Sequence, residues 1–239
     1  MEKQKSIIPI FLGCYVFIQL ITYFYSVFIG ISAKSYLVDY GSIALNFLVG
    51  LFLLIYLKKK DSLIVLIALE FTLLADTGLI ILDGVETASV FFFIFAQIFY
   101  AIRVRQYRVK LPLKWDIGIR ISFILLLEGI AFLLLKEKMN WLVVFTLIYV
   151  INFVFNLIYA WINYKQNILF ALGMLLFILC DLSLGLNSIE NFIDITNNSL
   201  IQAIIAIPID LVWMFYYPSQ ILIVLSMKYN RIVNEGYYD

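Results

Sequence analysis

A carboxylate set inside a run long enough to cross a bilayer constrains this chain more than any other feature. Leu63 to Leu82 reads LIVLIALEFTLLADTGLIIL, and its apolar second half carries Asp76. On insertion scales an aspartate near the middle of a membrane helix costs about 2.5 to 3.5 kcal/mol. Asp76 is therefore expected to face protein, water or a partner group rather than lipid. Further along, Phe170 to Leu186 reads FALGMLLFILCDLSLGL, with Asp181 at the matching place. Two helices of this kind bring two acids together inside a membrane bundle.

The other residues must supply that bundle. Of 239 residues 64% are hydrophobic and 14% charged, too little polar surface to cover the core of a water-soluble domain of this size. Apolar segments run roughly from Ile7 to Ile31, Tyr36 to Leu57, Ser62 to Leu82, Glu86 to Ile102, Asp116 to Leu135, Asn140 to Ile162, Asn167 to Leu186 and Gln202 to Met227. Each has the ~20 residues that span ~30 Å of hydrocarbon. The expected fold is all-α, a polytopic membrane protein of eight transmembrane helices forming one domain over residues 1–239. The first run is too long for a secretory h-region and reads as an uncleaved helix.

Basic residues set the orientation. With the N-terminus in the cytoplasm, that side holds Lys3, Lys5, Lys58, Lys59, Lys60, Arg103, Arg105, Arg108, Lys110, Lys114, Lys165, Lys228 and Arg231, against Lys34, Lys136 and Lys138 on the other. The positive-inside rule then places both termini in the cytoplasm of a cell-membrane protein. The run from Arg103 to Lys114 reads as a helix stop with affinity for anionic lipid, so membrane lipids and no nucleic acid are expected as partners. Helices three and seven both run outward, and both acids lie about 21 Å up at 1.5 Å per residue. Four helices separate the two positions. An even number per half makes residues 1–110 and 111–239, roughly, two weakly similar four-helix halves in parallel orientation.

Further polar residues fall on helical stripes. Helix four carries Gln97 and Tyr100. Helix six carries Tyr149, Asn152, Asn156, Tyr159 and Asn163, and helix eight carries Asp210, Trp213, Tyr217 and Gln220, all at steps of three and four. A cavity or a partner helix accepts such faces where lipid does not. Pro208 and Pro218 interrupt helix eight and free carbonyls that a cavity-lining helix can satisfy. Asp210 lies close to the depth of the pair, either as a third acid of the site or as the group that holds the others. Glu70 and Glu128 are further intramembrane acids, and Glu70, about 120° round the helix from Asp76, faces a different neighbour, as a protonated or hydrogen-bonded packing residue.

Absent residues exclude whole chemistries. With no histidine and only Cys14 and Cys180, both in apolar runs, there is no Ser-His triad, no histidine or cysteine metal site and no disulfide framework. Cys180 in apolar surroundings is expected to be inert. Asp76, Asp181 and Asp210 would hold a metal weakly as three oxygen ligands, so no metal and no cofactor is expected.

The segments LLADTGLIIL around Asp76, FAQIFYAIR from Phe95 to Arg103, GMLLFILCDLSLGLN from Gly173 to Asn187 and FYYPSQILIVLS from Phe215 to Ser226 resemble the lysoplasmalogenase family. These are small eight-helix membrane proteins that include the bacterial YhhN-like proteins and their animal counterparts. The resemblance covers helices three to eight and is that of a divergent bacterial-type member. Ala75 and Cys180 precede the aspartates where Gly or Ser is common, and Gln97 stands where many members carry His. Asp39, Tyr40 and Gly41 replace a Lys-Pro entering helix two. The resemblance implies an intramembrane hydrolase that cleaves the vinyl ether bond of lysoplasmalogens, with Asp76 and Asp181 as catalytic residues and a lysophospholipid bearing a vinyl ether chain as substrate.

Two acids suffice for that chemistry. A proton delivered to the β-carbon gives an oxocarbenium ion, and water captures it to form a hemiacetal that collapses to a fatty aldehyde and a glycerophospho-alcohol. Two carboxylates within a few Å do not ionise together, so one remains a donor while the other stabilises the cation and directs water. Glycosidases meet the same oxocarbenium problem with the same pair of groups. Gln97, Tyr100, Asn152, Asn156, Asp210, Tyr217 and Gln220 are the candidate substrate-binding residues. The alternative reading is a non-catalytic lipid-binding or lipid-transporting protein whose acids hold a cationic amine headgroup.

Overall fold

The computed structural model describes residues 2–28, 35–82, 84–107, 111–188, 207 and 209–229. Among them are eight α-helices and no strand: α1 (Glu2–Phe28), α2 (Ser35–Leu57), α3 (Lys60–Asp76), α4 (Glu86–Arg105), α5 (Leu113–Leu135), α6 (Trp141–Ile162), α7 (Ile168–Ser188) and α8 (Leu211–Leu225). The first seven lie in spans long and apolar enough to cross a membrane, while α8 is shorter. The protein is a multi-pass membrane protein. The expected eighth span began at Gln202, and its first residues, together with Pro208, lie outside the described residues.

Local chemistry sets the ends. Lys58 (φ 53°) closes α2 at positive φ, with its N–H on Leu54 O at 2.8 Å, and Lys136 (φ 47°, ψ −110°) closes α5 with its N–H on Phe132 O. Asn140 caps α6 by accepting from Val143 N at 3.0 Å. Pro112, just before Leu113, is fixed at the φ that suits the entry of α5. These stops fall beside charged residues, which keeps the unpaired ends of each helix out of hydrocarbon.

The bundle's core lies among α3, α4, α6, α7 and α8, where α3 packs most extensively on α4 and α7 on α8. Gly173 permits the second contact. A Cβ there would stand 2.9 Å from Ile223 Cγ1 and 3.1 Å from Ser219 O, and Ile223 is fully buried. Close approach through a small residue is how membrane helices gain packing without a hydrophobic drive between them. Helix α5 hangs at the edge, packing against α6 and leaving most of its length exposed. Glu70, expected against a neighbour, instead points out of the bundle from the exposed face of α3 that also bears Leu63 and Leu74, because α4 and α2 cover the other faces.

One end is tied by a fully buried arginine. Arg103, near the end of α4, meets Asp61 at the start of α3 with Nε on Oδ1 (2.9 Å) and Nη2 on Oδ2 (3.0 Å). Its remaining donors reach Ser226 Oγ (2.6 Å) and Ser226 O (3.1 Å) just past α8, and its guanidinium lies 4.4 Å from the Phe170 ring centroid on α7. Asn167 adds a bond to Ser226 O at 2.8 Å. Burial pushes the nearby Tyr107 hydroxyl up to about 12, so Tyr107 is neutral and Asp61 supplies the counter-charge. Four helices are thereby fixed at this basic end.

Breaking a buried ion pair from one side strands the other charge. Arg103→Ala and Asp61→Asn are each expected to lower stability by about 3 to 5 kcal/mol, with Arg103→Lys intermediate because an ammonium lacks the bidentate fork. Thermal unfolding in detergent reads the order. Gly173→Leu is expected to be at least as damaging as Asp61→Asn, since it must displace α8.

Candidate active site

The helix that carries Asp76 changes geometry directly after it. Residues Thr77–Ile81 form a π-helical turn, closed by Leu82 N on Thr77 O at 3.2 Å. Single π turns inside membrane or soluble helices are frequent at functional sites. Here the turn carries Gly78 against α4 so closely that a Cβ would stand 2.1 Å from Ser89 Oγ. Thr77 is held by Leu73 O (2.7 Å) and by the Tyr40 hydroxyl (3.0 Å). Asp76 therefore stands at a fixed break in the helix, 5% exposed.

Each of the two acids has its own tyrosine. Tyr216 on α8 donates its hydroxyl to Asp76 Oδ2, and Tyr149 on α6 donates to Asp181 Oδ2 at 2.5 Å. The two carboxylates are near enough to interact electrostatically, and the buried Cys180 directly precedes Asp181 on α7. Phe rings join the tyrosines: Tyr149 to Phe93 (5.6 Å between centroids), Phe93 to Phe177 (6.1 Å) and Phe177 to Tyr216 (5.6 Å). The result is a carboxylate pair behind an aromatic wall.

A cavity of about 440 Å³ reaches that wall from the end of the bundle opposite Arg103. Phe93, Tyr149 and Asp181 lie on it, with Val90, Leu142, Leu147 and Leu184 among its apolar residues and Glu86, Thr146 and Ser188 among its polar ones. Asp181 is thus the acid of the pair that the cavity reaches, and Asp76 lies deeper.

Two buried polar groups near the pair lack a partner among the described residues. Gln97 is fully buried on α4; its Oε1 and backbone O accept from Asn156 Nδ2 (3.0 and 2.8 Å), but Nε2, near Tyr149, has no partner. The fully buried Tyr100 hydroxyl also lacks a partner among the described residues. Buried polar groups are normally satisfied, so paired orphans on one helix face suit a water or a ligand oxygen.

The remaining candidates lie elsewhere. Asn152 and Asn156 accept from Arg120 on α5 (3.1 and 3.2 Å), and Arg120 also meets Asp116 at 3.1 Å, which in turn accepts from Tyr159 at 2.7 Å. The polar stripe of α6 is thus largely spent on helix packing, with Asn156 alone passing the network to Gln97. Tyr217 donates to Asp39 at 3.0 Å, in a cluster with Ser26. Gln220 is buried with one long contact, Nε2 on Ser219 Oγ at 3.4 Å. Asp210 is exposed and caps α8, accepting from Val212 N (3.0 Å) and Trp213 N (3.2 Å).

Sequence reasoning passed over Tyr216 and Arg120. The helix-eight stripe was drawn through Tyr217, one residue away. Arg120 had a legible signal, a cation four residues after Asp116 on the same helix face.

The family model that matches this chain is that of the YhhN family, over residues 41–227. The chain belongs to the YhhN family. Both aspartates and both tyrosines that hold them lie inside the matched region, as do the cavity and the π turn. The family includes lysoplasmalogenases. No curated protein and no solved structure matches the chain.

Removing one partner of a buried carboxylate is expected to differ from removing an orphan. Tyr216→Phe and Tyr149→Phe should each cost about 1 to 3 kcal/mol, since the acid keeps its desolvation and loses its donor. Tyr100→Phe, which deletes an unpaired hydroxyl, should leave the thermal midpoint unchanged or raise it. Unfolding curves of the three variants in one detergent make the comparison.

Proposed function

We propose that this YhhN protein hydrolyses the vinyl ether bond of lysoplasmalogens, with Asp76 and Asp181 sharing one proton. The observation that carries the reading is the tyrosine-held carboxylate pair with one member on the wall of an apolar cavity. The apolar side chains of Val90, Leu142, Leu147 and Leu184 suit part of an alkenyl lysolipid whose ether lies at Asp181.

Chemistry then follows from what each group can do there. The protonated member of the pair gives its proton to the β-carbon of the alkene, and the positive charge that forms on the ether carbon and oxygen is met by the remaining carboxylate. Phe93, which lines the cavity, can add cation–π attraction, worth about 2 kcal/mol in a desolvated setting. Gln97 Nε2 and Tyr100 suit the water that attacks the cation. The hemiacetal collapses to a fatty aldehyde and a glycerophospho-alcohol, and the proton released restores the pair. Tyr149 and Tyr216 hold the acids in place and act through them. Asn152, Tyr217, Gln220 and Asp210 serve the scaffold around the pocket rather than the reacting atoms.

The cluster of basic residues around Arg103 supports placing that end on the cytoplasmic side of the cell membrane. Both termini are then cytoplasmic and the cavity opens in the outer leaflet.

Purified protein incubated with an alkenyl lysophospholipid should release fatty aldehyde, and the matched lysolipid with a saturated ether should release none. Asp76→Asn and Asp181→Asn are each expected to lower turnover by at least about 10²-fold, the usual weight of an acid or base in the transition state. Tyr100→Phe should lower it with no loss of stability. Full activity in either asparagine variant removes the mechanism. Binding of both lipids without turnover would instead favour a lipid-binding or lipid-transporting protein.

A further inference from the structure

The buried side chains of α5 are Asp116 and Arg120, both charged, on the least covered of the seven long spans. Hydrocarbon rejects both, so each needs protein partners. Asp116 accepts from Arg120, from Arg105 at 3.0 Å and from Tyr159, and Arg120 reaches Asn152 as well. Those bonds clip α5 to the bundle. They leave Asn156 unexplained, a fully buried residue whose Oδ1 takes Nη1 and Nη2 of Arg120 at 3.2 Å each while its Nδ2 turns to α4.

Donor and acceptor rules fix the sense of both amides that follow. A guanidinium has donors only, so the oxygen of Asn156 faces Arg120. Its nitrogen then faces Gln97, meeting the backbone O at 2.8 Å and Oε1 at 3.0 Å. Gln97 is left with one orientation, its oxygen toward Asn156 and its Nε2 away. Turned over, it would set nitrogen against nitrogen, donor to donor. The Nε2 so placed has no partner among the described residues, and it lies near Tyr149, which donates to Asp181. A cation on an edge helix thus decides, through two amides, that an N–H rather than an oxygen is offered beside the acid pair.

We propose that Arg120 and Asn156 are positioning residues for the hydrolysis, holding the Gln97 amide so that its N–H receives the attacking water. A donor at that place takes one lone pair of the water and leaves the other for the oxocarbenium carbon, with the water's proton free for the carboxylate. An acceptor there would compete for that proton. The assignment rests on the reading of Asp76 and Asp181 as a hydrolytic pair.

A double-variant cycle on the full chain in detergent tests it, read by aldehyde release from an alkenyl lysophospholipid and by thermal unfolding. Asn156→Ala and Gln97→Leu should each lower kcat about tenfold, the weight of one buried hydrogen bond, with KM nearly unchanged. Once Gln97 is replaced by leucine, Asn156→Ala should lower kcat no further. Arg120→Met should follow the same pattern in kcat while its effect on the thermal midpoint persists in both backgrounds. That variant is the one most exposed to misfolding, and the Asn156 and Gln97 cycle decides without it. Gln97→Glu, which keeps the length and the bond from Asn156 but puts an oxygen where the N–H stood, should lose at least as much as Gln97→Leu. Losses in kcat that multiply across the cycle, or wild-type kcat in Gln97→Glu, overturn the assignment and leave the hydrolase standing. Absence of aldehyde from the wild-type protein removes both.

Discussion

The guanidinium of Arg103 is held without exposed surface because Asp61 meets it with both carboxylate oxygens and Ser226 with two more acceptors. Hydrocarbon supplies no such partners, so the starts of α3 and α7 and the ends of α4 and α8 must converge where these groups converge. The same requirement, met by different residues, positions the acids at the other end. Asp76 and Asp181 are answered by tyrosines from two further helices, and a carboxylate with a fixed donor has a fixed place.

Rigidity and openness are divided between the two ends. Around Arg103 an ion pair and its hydrogen bonds draw four helices together, and Gly173 brings α7 and α8 into close contact. At the cavity the walls are largely apolar, and behind them on α4 Gln97 and Tyr100 keep polar atoms without a partner among the described residues. A buried orphan lowers stability, so Gln97 Nε2 and the Tyr100 hydroxyl are features that packing alone does not explain. Natural proteins commonly break local rules of this kind at working sites.

Much of this was readable in the residues. Apolar runs separated by charged turns gave the spans, since a membrane helix needs little more than length and hydropathy to declare itself. Asp76 and Asp181 stood out for the same reason, as charges in places that reject charge. What could not be read was the partner of each group. Helical periodicity drew the helix-eight stripe through Tyr217, and only packing assigns it to Asp39 and its neighbour Tyr216 to Asp76. The α6 stripe looked like a cavity lining, yet Arg120 on α5 takes up Asn152 and part of Asn156. Asp210 read as an intramembrane acid at matching depth because its apolar flanks hid a helix start. Glu70 read as buried because insertion cost argues so, while its helix turns it outward.

A π turn is what a helix makes of one surplus residue. Deleting one position between Thr77 and Ile81 would let that segment relax to ordinary α geometry and leave everything before Asp76 where it is. Residues beyond the deletion would keep their facing, because the wide turn had absorbed the extra one. Gly78, whose missing side chain admits Ser89, would lose its place in that contact. Length and composition are therefore coupled here, and homologous chains with a shorter segment are expected to relax the demand for glycine at this position and for a small residue opposite it.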